Sequence, residues 1–391
     1  MRAARSAAQL RRLERVAFEQ LNRGRLEQFA AAMRAGVDPD STALTPFGLL
    51  HYVIAGQRRG GLPGVDTPAA VATLLQLGCD PTGRGDAAGL PLYLAAQLKQ
   101  WAVCELLLDA KADPDRLPPQ VRASLSALVM RADDPLPMLA VLARSGADFD
   151  AGAHAGALTG PEAAVGIGHA QALDLMLAHG ADPNHCNGLG ESLGHLAIAH
   201  PQVLRVLAAR GADLGRRDPS GFTPLMMTCR APVPIESMQV LIEVGVDVNA
   251  RNNGGETALH VNAWGIGDVE RVRTLAAAGI ELDARDHRGS TAVMLAAIAQ
   301  RADLFDALTQ AGADPGDVTD PVRAVAHIQR FLKPVPDRGT VDPGRRFAAF
   351  ALERMDLRSA DEAVRAQLVR ALSEADLQRE LAYVVQQGTP R

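Results

Sequence analysis

The stretch MQVLIEVGVDVNARNNGGETALHVNA (Met238–Ala263) contains the two short phrases that recur along this chain. The first phrase is an apolar helix followed, in most copies, by Gly-x-Asp. Its nine copies are anchored by Asp38, Asp80, Asp113, Asp148, Asp182, Asp213, Asp247, Glu281 and Asp314. These acids follow one another at steps of 42, 33, 35, 34, 31, 34, 34 and 33 residues. A period of this size indicates a solenoid of stacked units, each too small to bury its own apolar face.

The second phrase starts ten to twelve residues after the first and predicts another helix. Its best copies are SGFTPLMMT (Ser220–Thr228), GGETALHVNA (Gly254–Ala263) and RGSTAVMLAA (Arg288–Ala297). The expected N-caps are Thr223, Thr257 and Thr291, and Pro224 occupies a first helical turn, where its missing N–H costs nothing. Glycine in the first phrase suits the left-handed residue that ends a helix. Each unit is therefore predicted as turn, helix, short loop, helix.

The two phrases resemble those of the ankyrin repeat family. The family's Gly-x-Thr-Pro-Leu-His-x-Ala-Ala pattern is similar to GFTPLMM and GETALHVNA here. Weaker copies are GLLHYVIA (Gly48–Ala55), GLPLYLAA (Gly89–Ala96) and GESLGHLA (Gly190–Ala197). The resemblance covers roughly residues 15–320. It implies an all-α ankyrin-repeat solenoid of about nine helix-turn-helix units with protruding β-turn fingers and helical caps.

Three segments follow from this interpretation: residues 1–40 as an N-terminal helical cap with the first repeat, 41–320 as ankyrin repeats, and 321–391 as a C-terminal helical cap or small helical extension. Residues 7–35 suggest two helices joined at Asn22-Arg23-Gly24. The apolar stripe of the first helix is predicted to use Leu10, Leu13, Val16 or Ala17, and Leu21. A membrane-surface or targeting helix is the alternative for this segment.

Beyond Pro315, helices are expected near 320–332, 345–357 and 361–387, with a loop at Pro334–Gly344. Phe347, Phe350, Ala351 and Met355 are expected to pack back on the last repeat. The alternative is a separate binding or effector unit.

Some units depart from the pattern. The second phrase is nearly lost in ASLSALV (from Ala123) and LTGPEAAV (from Leu158), and an insert spans Gln57–Pro68. Weak middle units could act as a hinge or a contact region, or could reflect drift that neighbouring units tolerate.

Composition limits the classes of function. The chain is 47% apolar but only 4% aromatic, which suits close-packed helices with small side chains. Residues 35–332 carry 22 basic and 33 acidic groups, which argues against a nucleic-acid partner because phosphate binding depends on Lys and Arg. No apolar run is long enough to cross a membrane, and no classical secretory signal is evident. We therefore expect a cytoplasmic protein, and the Arg- and Ala-rich composition suggests a bacterial source.

Signals of catalysis or metal binding are poor. Phrases typical of zinc proteases, serine hydrolases or phosphate-binding loops are missing from the sequence. Cys79, Cys104, Cys186 and Cys229 lack the spacing of a zinc site or a disulfide framework. The adjacent pair His185–Cys186 has no second pair at ligand spacing, so neither a metal nor a cofactor is expected. The resemblance implies that His51, His195 and His260 bond neighbouring turns rather than catalyse.

A column of arginines is the better functional signal. Arg217, Arg251 and Arg285 are 34 residues apart, each at the same place in its turn. Guanidinium groups so arranged suit an acidic or extended partner, although such residues are ordinary in the family and the adjacent acids could pair with them. Trp264 is expected either at the groove, where aromatic residues dominate interface energetics, or in the core. The residues predicted to contact a partner are Arg217, Phe222, Arg230, Arg251, Asn252, Glu256, Trp264, Arg285, His287 and Arg288.

The sequence therefore predicts a non-enzymatic module that binds another protein through the concave groove and fingertips of an ankyrin array. The alternative is an effector or toxin-neutralising immunity protein whose C-terminal helical segment carries a separate activity. Neither nucleic acid nor membrane is expected as a partner. The oligomeric state is left open, with a monomer as the working expectation.

Overall fold

The computed structural model describes residues 7–40, 48–56, 65–83, 90–116, 124–151, 157–331, 343–358 and 360–374, and 377, 380–382 and 384–385 near the C-terminus. Within these ranges the regular secondary structure is helical and no strand forms, apart from isolated bridges. This confirms the all-α class. No helix among these residues is both long and apolar enough to cross a membrane.

The first of two compact units comprises Met1–Leu189 with Ala209–Ala212. Its helices are α1 (Ala7–Asn22), α2 (Leu26–Arg34), α3 (Gly48–Ala55), α4 (Thr67–Gln76), α5 (Pro91–Gln97), α6 (Trp101–Asp109), α7 (Leu125–Val129), α8 (Leu136–Arg144), α9 (Gly160–Ile167) and α10 (Ala170–Ala178). They stack as two layers. In one layer α3, α5, α7 and α9 contact in succession, and in the other α2, α4, α6, α8 and α10 do so.

The second unit comprises Gly190–Ala208 with Asp213–Arg391. Its helices are α11 (Leu193–Leu196, continuing as a 3₁₀ turn over Ala197–Ala199), α12 (Pro201–Ala209), α13 (Pro224–Thr228), α14 (Ile235–Glu243), α15 (Ala258–Trp264), α16 (Val269–Ala277), α17 (Ala292–Ile298), α18 (Ala302–Gln310), α19 (Gly316–Thr319), α20 (Pro321–Phe331), α21 (Pro343–Arg354) and α22 (Glu362–Glu374). The same two layers recur, with α11, α13, α15 and α17 in one and α14, α16 and α18 in the other.

The recurring phrases fix where these helices begin and end. The side chains of Thr223 and Thr291 each accept a backbone N–H from the first turn of their helix, and Thr257 forms a capping box with His260. The predicted N-caps are therefore confirmed, as is Pro224 at the start of α13. The divergent units keep the device with other residues: Ser124 caps α7, and Thr159 forms a capping box with Glu162 at α9.

A column of aliphatic side chains fills the core of each unit. The residue four positions before each phrase glycine, or before its replacement Lys111, is buried in every one of these helices. In the first unit these residues are Leu74, Leu107, Leu142 and Met176, and in the second they are Leu207, Leu241, Leu275 and Leu308. Burying such a side chain stabilises the folded state by about 1.5–3 kcal/mol relative to leaving it exposed. The core is thus a repeated aliphatic contact between neighbouring second helices.

The nine Gly-x-Asp phrases, here called base turns, are tied together by side chains. In most of them the anchoring Asp accepts a backbone N–H from two residues ahead, as Asp247 does from Asn249 at 2.9 Å. The acid or amide at that later position accepts the anchoring residue's N–H in the next base turn. Such bonds join Asp182 to Asp150 (2.7 Å), Glu281 to Asn249 (2.7 Å) and Asp314 to Asp283 (2.8 Å).

The chain ends follow the predictions with some shifts. In α1 the buried stripe uses Ala17 and Leu21, whereas Val16 is 40% exposed. The single helix expected near 320–332 is interrupted, because α19 ends at Thr319 before Pro321 opens α20. The helices expected at 345–357 and 361–387 begin and end earlier, as α21 and α22. Most of the loop at 334–344 and of the insert at 57–68 lies outside the described residues.

The residues of α21 that were expected to pack inward are buried, namely Phe347, Phe350 and Ala351 together with Met355 just after the helix. Helix α21 contacts α17, α19 and α20, and α22 contacts α20. The described C-terminal helices thus pack against the last helix pair of the second unit.

Candidate partner-binding surface

Three turns of the second unit share one geometry. They span residues 218–222, 252–256 and 286–290, and are called the five-residue turns below. In each, the first residue donates its backbone N–H to the carbonyl of the fifth, at 2.8, 3.0 and 3.0 Å. The fourth residue is Gly221, Gly255 or Gly289, with φ of 82°, 75° and 73°. Only glycine adopts this left-handed backbone without cost, so the glycine of the second phrase is explained by the turn.

The acid or amide that opens each turn is used to close it. Oδ1 of Asp218, Asn252 and Asp286 accepts the backbone N–H groups two and four residues ahead, at 2.7–3.0 Å. Asn252 is only 7% exposed and donates its amide to Glu256 at 2.6 Å. The idea that Asp218 and Asp286 pair with their neighbouring arginines is therefore wrong for this structure. Asn252 and Glu256 hold their own turn together.

Two of the three column arginines bond the following turn. Arg251 donates to the carbonyl of Arg285 at 2.7 Å and to the Glu281 carboxylate at 3.2 Å. Arg285 donates to Asp317 at 2.7 Å and to the carbonyl of Gly289 at 2.9 Å. Within the described ranges, Arg217 is exposed and has no hydrogen-bond or ion-pair partner. The three positions are equivalent in sequence but differ in structure, and only the first guanidinium group is uncommitted.

The buried histidines play the role that the family resemblance implies. His195 contacts the hydroxyl of Ser192 at 2.8 Å and the carbonyl of Phe222 at 2.9 Å. His260 contacts Thr257 and the carbonyl of Ser290 in the same way, at 2.9 and 3.0 Å. Burial lowers the pKa of His260 below its ordinary value. Both imidazoles tie a first helix to the next five-residue turn and are not presented to a substrate.

A second column runs along the ends of the first helices. Arg230, Trp264 and Ile298 are 34 residues apart, each seven positions after its N-cap threonine. We call these three residues the helix-end column. Arg230 is exposed, Trp264 is 43% exposed and Ile298 is half-buried. The guanidinium of Arg230 lies 5.5 Å from the ring centroid of Phe222, a distance typical of a cation–π contact. The sequence named Arg230 and Trp264 singly, and counting from the threonines would have found Ile298.

His287 and Arg288 lie at the tip of the third five-residue turn. Both side chains are exposed. His287 donates its backbone N–H to the carbonyl of Gly254 at 2.9 Å, and a Cβ on Gly255 would lie 2.5 Å from the imidazole. The imidazole therefore covers the preceding turn on one side and faces solvent on the other. Trp264, with its exposed indole, does not take the core position that was the other expectation for it.

Sequence reasoning missed two buried charged groups. Arg271 on α16 is 5% exposed and donates to the carbonyls of Thr228 and Val233 and to the Asp268 carboxylate. Asp317 is 3% exposed and accepts from Arg285 and, at 2.7 Å, from Arg323. No pattern marked either residue, because each partner set comes from residues distant in the sequence.

In the first unit, the pair His185–Cys186 has a structural setting. The His185 Nε2 atom lies 3.3 Å from the Glu162 carboxylate, and both side chains are nearly buried. The hydrogen bond to Glu162 raises the pKa of His185, although burial opposes the shift. Among the described residues, no three His, Cys, Asp or Glu side chains are arranged to hold a metal ion. The four cysteines form no disulfide with one another.

Helix pairs stacked in two layers and joined by repeated turns define a helical repeat protein. The family model for ankyrin repeats matches residues 162–252 and 225–319, with three copies. Through these residues the chain belongs to the ankyrin repeat family. No curated protein matches it. Ankyrin repeats generally mediate protein–protein interactions and are typically not enzymes.

Proposed function

We propose that this protein is a non-enzymatic interaction module that binds another protein through the five-residue turns and the helix-end column of its second unit. The observation that carries the proposal is the 43% exposed indole of Trp264 beside exposed arginines. Tryptophan and arginine are the residues most enriched at the centres of protein interfaces. A surface already held by hydrogen bonds loses little conformational entropy on binding.

The proposal includes a fold of nine ankyrin units, with α1 as part of an N-terminal cap and α19–α22 as a C-terminal cap. Nine helix pairs, each followed by a base turn, support the count. The five-residue turns would then be the fingers of the family. The contacts of α21 with α17 favour a cap over a separate effector or immunity activity in the last segment.

The test is affinity capture from lysate with matched variants. Trp264→Ala removes the exposed indole, and Arg217→Glu reverses the uncommitted column arginine. Arg273→Glu is the control, because Arg273 is exposed on the second helix α16. Arg251 and Arg285 are unsuitable baits, since changing them would disturb the adjoining turns. We expect a protein captured by wild type and Arg273→Glu and lost with Trp264→Ala. Capture unaffected by either surface variant would contradict the proposal.

A further inference from the structure

The helix-end column and the turn beside it point to the chemistry of the partner. We propose that they bind an extended acidic segment of a protein, with a carboxylate at Arg217 and Arg230 and an apolar side chain about three residues away against Trp264. This inference rests on the proposed function and deepens it, because it specifies what the surface recognises.

Charge is the first support. The segments 216–222, 250–256 and 284–290 contain five arginines and three acids. The acids are turned inward: Asp218 and Asp286 accept backbone N–H groups of their own turns, and Glu256 bonds Asn252. Solvent therefore meets guanidinium groups more than carboxylates here, although residues 35–332 are acidic overall. A carboxylate accepts two parallel hydrogen bonds from a guanidinium, which makes acidic side chains the natural complement.

The turn at 218–222 places two cations at one point. Arg217 directly precedes Asp218, whose N–H donates to the carbonyl of Phe222 at 2.8 Å. Arg230 covers the ring of that same Phe222. Both side chains are exposed, and neither has an acidic partner among the described residues. A carboxylate at this turn would satisfy charges that the chain leaves unpaired.

Spacing gives the second half of the motif. Arg230 and Trp264 occupy equivalent positions on α13 and α15, which contact each other. Packed helices lie about 8–10 Å apart, and an extended chain advances about 3.3 Å per residue. Some three residues therefore separate the side chain at Arg230 from the one at Trp264. Ile298 extends the apolar end of the column onto α17.

A nucleic acid fits less well. Its affinity depends on many Lys and Arg contacts along the phosphates, whereas this column changes from a cation to an indole and then to an isoleucine. Two further column arginines, Arg251 and Arg285, are already bonded within the chain. An acidic peptide with an interposed apolar residue matches this order.

The experiment is fluorescence anisotropy with short labelled peptides and the full chain. The probe repeats Glu-Ser-Gly-Leu, with the reverse order Leu-Gly-Ser-Glu as a second probe, because chain direction is not fixed by the argument from spacing. A peptide with Gln in place of Glu is the matched control, and a labelled single-stranded oligonucleotide is the competing ligand. Circular dichroism confirms that each variant remains folded.

We expect one Glu probe to bind at least about tenfold more tightly than the Gln peptide, with affinity falling as salt is added. Arg217→Glu, Arg230→Glu and Trp264→Ala should each weaken binding about tenfold, a loss typical of interface anchors. Arg273→Glu should bind like the wild type. Equal binding of Glu and Gln peptides, tighter binding of the oligonucleotide, or an equal loss in Arg273→Glu would overturn the inference.

Failure of this inference and failure of the proposed function give different results. If neither Glu probe binds, but a lysate protein is captured in a Trp264-dependent manner, the acidic-segment inference is wrong and the interaction module stands. If capture is also independent of Trp264 and Arg217, the proposed surface is wrong as well.

Discussion

Arg271 shows how much one side chain can do that no sequence pattern announces. It is buried in α16 and donates to carbonyls at Thr228 and Val233, in the preceding part of the fold. Arg273 lies two residues along the same helix but is exposed. Both positions carry arginine in an amphipathic segment, so the sequence distinguishes them only by helical phase. The partners of Arg271 are backbone oxygens, which leave no trace in the sequence.

Arg271→Met should lower the free energy of unfolding of the second unit by about 3 kcal/mol, because it leaves buried carbonyls and Asp268 without their donor. The matched change Arg273→Met should alter it by less than about 0.5 kcal/mol. Urea unfolding followed by circular dichroism measures both. Equal effects of the two substitutions would show that the guanidinium of Arg271 is not held as described.

Lys111 and Gln300 occupy left-handed backbone, with φ of 71° and 59°. Lys111 stands where most base turns have glycine. A side chain at such a position costs about 1 kcal/mol, so Lys111→Gly and Gln300→Gly should each stabilise the protein by roughly that amount. The converse change, Gly245→Lys, should destabilise it through the backbone alone, since no atom lies within 4 Å of a Cβ there. Thermal unfolding tests the set, and a destabilised Lys111→Gly would contradict the expectation.

At the scale of elements, the helix starts and base turns could be predicted because they depend on local backbone chemistry. The threonine caps, Pro224 and the phrase glycines each act within a few residues of themselves. The commitments of Arg251 and Arg285 could not be predicted, because they depend on which oxygen the next unit offers. Arg217 has the same sequence context and makes no such bond. Periodicity thus located the surface without saying which of its side chains are available.

Asp317 joins the third five-residue turn to α20. Burial alone would raise its pKa, but the hydrogen bonds from Arg323 and Arg285 hold the pKa of this carboxyl below its ordinary value. A carboxylate with a lowered pKa contributes stability above its unfolded value, about 4, and that contribution is lost as pH falls through the folded pKa.

Asp317→Asn should therefore increase hydrogen exchange of the α20 amides at neutral pH, with a cost to local stability of about 2 kcal/mol. Asp306→Asn provides the control, because Asp306 is exposed on α18. At acidic pH the wild type should approach the Asp317→Asn variant. Exchange rates that differ equally at every pH would argue against an ionised Asp317 as the fastening group.

For the molecule as a whole, the repeat count and the all-α class were accessible from the sequence because every unit restates the same two phrases. The separation into two compact units at Leu189 was not, since no proline-rich or charged linker marks it. The C-terminal helices were found approximately, and their boundaries shifted where Pro321 and the base turn at 311–316 set the local geometry.

The two units should respond oppositely to pH through one histidine each. The hydrogen bond to Glu162 raises the pKa of His185 in the first unit, so its stabilising contribution is present below pH about 6.5 and is lost as pH rises through the folded pKa. Burial lowers the pKa of His260 in the second unit. Its contribution is present above pH about 6.5 and is lost as pH falls from that value through the folded pKa.

Thermal unfolding of the wild type, His185→Asn and His260→Asn between pH 5.5 and 8 measures these contributions as differences. The wild type's advantage over His185→Asn should be larger at pH 5.5 than at pH 8. Its advantage over His260→Asn should be larger at pH 8. Differences of the same sign for both variants would refute the opposed assignment.

The bond that joins one base turn to the next also bears on how such a gene changes length. Every copy offers the same pair: an acid or amide that receives, and an amide N–H that gives. A crossover that duplicates or deletes one whole period therefore rejoins a giver to a receiver and orphans no polar group. A crossover that cuts inside a period breaks that match. The steps between anchoring acids, mostly 33 to 35 residues, are what inheritance in whole periods would leave behind.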